Sequence, residues 1–211
     1  LFCDLRDQHI FDPRTGLYAK DSQAAQAMPL HFGMTSQEKR ELAITRLIEN
    51  IEQARENHIS SGIIGTYYVF ETLMEAGRDD VAYAMLTREG FPGWMDMLDR
   101  DATTIWEAWT GAGSRNHPAL GSIGAWFYQG LGGIRLDPTA TGFKKIVIKP
   151  AIVGDLKWVK ARHDSLYGRI VHNWEREGGQ LTMHVTVPVN TTATVYVPGS
   201  RYGLSASVPL R

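Results

Sequence analysis

The residues most suited to chemistry lie in the stretch DATTIWEAW, residues 101–109. A single carboxylate, Glu107, stands between Trp106 and Trp109, after two threonines and before a glycine-rich turn. An ionised Glu is rarely removed from water without a partner, because desolvating the charge is costly. The pattern therefore points either to a helix whose apolar face flanks a Glu or to a sugar site. In a sugar site, indole rings stack on the apolar face of a pyranose while a few polar groups hold its hydroxyls. Glu107 could then activate a water as general base, or act as nucleophile or acid. Taken alone, it reads equally as a salt-bridged helix residue.

Other polar and aromatic candidates cluster in three stretches: NHISSGIIGT, the run from Glu89 to Trp109, and GSRNHPALG. They contribute Trp94, His58 and His117. Each has a plainer reading. The tryptophans would be core residues, His117 before Pro118 a helix-start residue, and His58 a solvated helix end. Competing chemistries find less support. The sequence has no GxGxxG or Walker-type loop, no HExxH and no GxSxG elbow. Its seven histidines are scattered, so no zinc site and no cofactor is expected.

The elements that must position these residues differ between the two halves of the chain. Of 211 residues, 43% are hydrophobic and 21% charged, with a net charge of −1, an ordinary globular profile. Such a balance offers no footprint for nucleic acid or an anionic membrane. No apolar run reaches the roughly 20 residues of a membrane helix. One cysteine, Cys3, rules out an internal disulfide framework. The chain opens without Met or a leader-like segment, with Leu1, Phe2, Leu5 and Ile10 reading as a helix end and FDPRTG as the turn after it. A chain that starts inside a domain is expected, as a piece of something longer.

Residues 1–135 read as helical. Thr35 with Glu38 has the spacing of a capping box, and Leu42, Leu47, Ile48 and Ile51 follow at helical intervals. SGIIGTYYVFETLMEAGR reads as a helix stopped by Gly77, and DDVAYAMLTREG as one with acid at its positive end. NHPALGSIGAWFYQGLGGI has Pro118 near its first turn, and a short helix is expected near QAAQAMPLHFG. Short Gly/Pro turns join them into antiparallel helical hairpins. Residues 136–211 change period. KKIVIKP, LKWVKARHD, YGRIVHNWERE, QLTMHVTVP and TATVYVP are short and β-branched or aromatic. Gly178-Gly179 marks a hairpin. Antiparallel strands forming a small β-sandwich are expected there.

In order along the chain, FDPRTGLYAKDSQAAQAMPLHFGM, HISSGIIGTYYVFETLMEAGRDDVAYAML, DATTIWEAW, NHPALGSIGAWFYQGLGGI, GFKKIVIKP and residues 158–198 resemble the C-terminal part of bacterial α-L-rhamnosidases. The resemblance covers nearly the whole chain, and the order of the motifs makes it specific. It implies an α plus β protein of two domains: part of an (α/α)6 barrel over residues 1–135, then an antiparallel β-sandwich over 136–211. It also implies inverting removal of terminal α-L-rhamnose from a glycoside or polysaccharide; the compartment, a bacterial cytoplasm or periplasm, is not set by the sequence. Glu107 matches the family's general base and His117 a sugar-contacting histidine. Trp94 and Trp106 match aromatic positions around the site. An inverting base must hold a water about 6.5–9.5 Å from the acid. The family's general acid belongs to an upstream motif absent from this sequence, so the missing N-terminal part of the polypeptide is an expected partner, and the isolated chain is expected to be inactive.

Three departures from the family pattern fall on the leaving-group side rather than on the base: Asp101 for Gly, Ala108 and Thr110 for Arg and Asp, and a short stretch between Glu107 and His117. The alternatives are an (α/α)6 glycosidase for a different sugar and a non-catalytic carbohydrate-binding fragment.

Overall fold

The computed structural model describes residues 11–19 and 21–198. The helix end expected at Leu1, Phe2, Leu5 and Ile10, and Cys3 with it, lie outside them. The chain divides between Gly124 and Ala125 into two compact units, eleven residues before the change of period after residue 135.

The first unit opens on a hairpin, β1 (Phe11–Asp12) and β2 (Leu17–Tyr18), paired antiparallel. FDPRTG is thus its first strand and turn. Gly16 sits at φ +74°, where a Cβ would come within 2.6 Å of Leu42 Cγ. The helices α1 (Gln23–His31), α2 (Gln37–Glu49), α3 (Gly65–Glu75), α4 (Asp79–Leu86) and α5 (Trp94–Asp99) follow. Ser22 caps α1 by accepting the Ala25 N–H at 3.2 Å, and α1 packs on α2 and α3. Phe11, Tyr18, Leu30 and Ala43 form one buried cluster. Gly77 follows α3 at φ +69°, as its sequence predicts.

Two helical expectations need correction. Thr35 does not cap α2; the N-cap is Ser36, without a side-chain bond. The Thr35 hydroxyl is buried and already accepts from the Tyr18 OH at 3.0 Å. The segment from Ala119 is not one regular helix. A 3-10 turn (Ala119–Ser122), α6 (Ile123–Trp126) and a π turn (Phe127–Leu131) succeed one another. Gly130 lies under the Trp126 ring, where a Cβ would meet the indole Nε1 at 2.5 Å.

In the second unit, β3 (Ile134–Leu136), β4 (Lys145–Ile148) and β8 (Thr192–Val195) form one three-stranded sheet. The strands β5 (Trp158–Ser165), β6 (Gly168–Glu177) and β7 (Gln180–Thr186) form the other. Ile134, Ile146 and Ile148 of the first sheet share a core with Ala161 and Ile170 of the second, the sandwich its alternation predicts. Not every pairing is antiparallel: β4 and β8 run parallel. The antiparallel trio β5–β7 lies between them in the chain, and β8 returns to the first sheet in the direction of β4. His172 and Trp174 tie β6 to the preceding turn, through the Gly132 carbonyl at 2.7 Å and the Leu131 carbonyl at 2.8 Å.

Candidate active site

Glu107 is on no helix. It lies in an irregular segment between α5 and the 3-10 turn, folded back on itself by four hydrogen bonds. The Glu107 N–H donates to the Ser114 carbonyl at 2.8 Å and the His117 N–H to the Ile105 carbonyl at 2.9 Å. The Thr104 hydroxyl donates to the Arg115 carbonyl. The Ser114 N–H donates to Glu107 Oε2 at 2.9 Å. This last bond fixes one carboxylate oxygen on a rigid main-chain donor. Gly113 completes the clamp: at φ +75° its missing Cβ would stand 2.6 Å from Oε2 and 3.1 Å from Cδ of Glu107. Only glycine lets the backbone pass so close to the carboxylate.

Half-buried, Glu107 lines an open cleft of about 850 Å³ within the first unit, walled also by Ile59–Ile63, Phe91, Pro92 and Ala108–Trp109. It is the one carboxylate among the described residues lining that cleft. Buried side chains lace these loops together. Gln23 of α1 donates from Nε2 to the His58 carbonyl at 2.9 Å and accepts the Ser60 N–H at 2.7 Å. Arg88 donates to His58 Nε2 at 3.2 Å, so the ring carries its proton on Nδ1 and donates it to the Pro92 carbonyl at 3.2 Å. His58 is therefore half-buried mortar between two loops rather than a solvated helix end.

The other expected site residues divide. His117 stands on the return strand of the Glu107 loop, and its Nδ1 accepts the Ala119 N–H at 3.2 Å. It is thus the helix-start residue of the plainer reading. That bond also places the neutral ring's proton on Nε2, as a donor for an incoming acceptor. The tryptophans expected around the site are core residues instead. Trp94, 6% exposed, packs edge-on against Phe70 and Trp109 and donates to the Leu120 carbonyl at 3.2 Å. Trp106, 3% exposed, sits in a cluster with Met97 and Leu120, with the guanidiniums of Arg100 and Arg115 within 4.6 and 5.0 Å of its ring. Neither they nor His117 lines the cleft. The aromatic side chains that do are Trp109 and Phe91. Spacing alone could not have separated Trp109 from Trp106, because the segment is neither helix nor strand and carries no period.

Among the described residues, no group of three or more His, Cys, Asp or Glu could hold a metal ion, and no helix is long and apolar enough to cross a membrane.

Comparison with known proteins gives this geometry a setting. Residues 5–131 match the family model described as the bacterial alpha-L-rhamnosidase 6 hairpin glycosidase domain, and residues 133–209 that of the bacterial alpha-L-rhamnosidase C-terminal domain. An alpha-L-rhamnosidase of Formosa agariphila is 35% identical over 188 residues, covering 84% of this chain and 20% of that protein. The crystal structure of the Streptomyces avermitilis alpha-L-rhamnosidase complexed with L-rhamnose superposes with a TM-score of 0.86 at 31% identity. It covers 93% of this chain and 20% of that one. Native alpha-L-rhamnosidase from Aspergillus terreus gives 0.86 at 29% identity, covering 94% of this chain and 24% of that one. The chain thus spans about a fifth of the length of the curated relatives it matches.

Proposed function

The chain belongs to the bacterial α-L-rhamnosidase family, and from that premise we propose that it supplies the base side of an inverting α-L-rhamnoside hydrolase. Glu107 is the base. A water held by its carboxylate attacks the anomeric carbon from the face opposite the leaving group. Glu107 takes the proton that this water loses, while a carboxylic acid on the other face protonates the glycosidic oxygen as its bond to the sugar breaks. Rhamnose leaves with its anomeric configuration inverted, and one water is consumed for each bond cut.

The observation that carries this reading is the clamp on Glu107. An inverting base must keep its orientation while a water occupies the space before it. A main-chain N–H on one carboxylate oxygen, at the wall of a cleft, meets that need. The second carboxylate has no counterpart among the cleft's lining residues. We assign it to a part of the full-length enzyme outside these residues, in keeping with the fifth of the relatives' length that the chain spans. The substrate is a rhamnose-bearing glycoside or polysaccharide.

Glu107→Gln in the full-length enzyme is the test. The amide keeps the size and the acceptor for Ser114 N–H but cannot take a proton. Turnover of an aryl α-L-rhamnoside is expected to fall on the order of 10²-fold or more, with folding unchanged. Turnover within a few-fold of wild type would leave Glu107 a hydrogen-bonding residue only.

A further inference from the structure

We propose that Trp109 is the sugar-stacking residue of the cleft beside Glu107, rather than Trp94 or Trp106, which the family resemblance implies as aromatic positions around the site. The proposal rests on the reading of Glu107 as the base.

Three observations carry it. First, Trp94 and Trp106 are withdrawn from solvent and engaged in the core, whereas Trp109 is half-buried and forms part of the cleft wall with Glu107. Second, the Trp109 indole is fixed in place. Its Nε1–H donates to the Ser61 carbonyl at 2.8 Å, and its ring meets Trp94 edge-on at 5.0 Å and 85°. Ser61 is itself buried, with its hydroxyl at 3.2 Å from that of Thr66 at the head of α3. The ring, which also packs against the cluster of Met97, Trp106 and Leu120, is therefore held in place, and little rotamer freedom remains to be lost when a ligand stacks on it. Third, Trp109 and Glu107 are two residues apart on one clamped segment, so platform and carboxylate move as one body. A pyranose presents C–H groups on one face that suit an indole surface, while its hydroxyls remain free for polar partners.

Substitutions at 109 in the full-length enzyme separate stacking from scaffolding. Trp109→Phe keeps an aromatic face and loses the bond to Ser61; Trp109→Leu keeps apolar bulk and loses the face. The expected result is a KM for an aryl α-L-rhamnoside raised about tenfold in Trp109→Leu, with kcat within a few-fold. The inhibition constant of free L-rhamnose should rise in parallel, while Trp109→Phe stays within about threefold of wild type on both counts. If Phe proves as damaging as Leu, the indole N–H and its anchoring of the loop are what matter, and the stacking role is overturned. An unchanged KM and inhibition constant in the Leu variant overturn it too. Wild-type enzyme that ignores α-L-rhamnosides refutes the underlying reading instead, whatever the variants do.

Discussion

Glu107 owes its orientation to the two residues that pass in front of it, Gly113 and Ser114. The Ser114 N–H holds Oε2 at 2.9 Å, and Gly113 leaves the room that any side chain would fill. Gly113→Ala would put a methyl group 2.6 Å from that oxygen and force the carboxylate or the loop aside. Displacing a reacting group by about 1 Å can cost on the order of 10²-fold. The expected outcome is a kcat lowered about 10- to 100-fold with an unchanged circular dichroism spectrum. Gly178→Ala supplies the control, since it too has a positive φ (+55°) but no neighbour within 4 Å, and its steady-state rates should match wild type. The sequence makes Glu107 visible, as a charge set between tryptophans. It does not reveal Gly113 as the clamp, because the pairing of residues 104–107 with 114–117 follows from no periodic pattern. For the same reason the spacing of the tryptophans could not tell the buried Trp106 from the cleft-lining Trp109.

Among elements, those with strong local signals were legible. Helix α3 ends where Gly77 stops it, α4 starts at Asp79 and Asp80 as its acids predict but ends at Leu86, short of Gly90, and the exposed residues of β5 alternate with half-buried or buried ones. Missed features all depend on distant partners. Tyr18 takes the hydroxyl that would have capped α2, and the short α5 is set between loops rather than by its own pattern. The parallel β4–β8 pairing joins strands separated by the whole second sheet.

His172 on β6 offers a test at this scale. Burial holds its imidazole pKa below the ordinary 6.5, and the bond to the Gly132 carbonyl opposes that only in part. As pH falls below the ordinary value, the unfolded chain takes up a proton that the folded one refuses. Unfolding then binds protons, so stability declines toward acid until the folded state's own lower pKa is reached. Urea titrations of the wild type are expected to show this decline as the pH falls through the ordinary 6.5 and below it. His172→Gln, which retains an N–H donor for Gly132 and cannot titrate, should show a shallower one. Equal slopes in the two proteins would remove His172 as the source.

At the scale of the whole molecule, the chain consists of two units with separate cores, and each matches its own family model. The described residues that line the cleft all belong to the first. Glu107 is the one carboxylate among the described residues that line the cleft, so the assignment of a base there turns on how the reaction treats the anomeric carbon. The most direct measurement is proton NMR of the rhamnose first released from an aryl α-L-rhamnoside by the full-length enzyme, recorded before mutarotation blurs the product. The account predicts β-L-rhamnose, with the α anomer growing in later. Initial release of α-L-rhamnose would mean retention, with a carboxylate acting as nucleophile, and would contradict the assignment of Glu107 as the base that activates water.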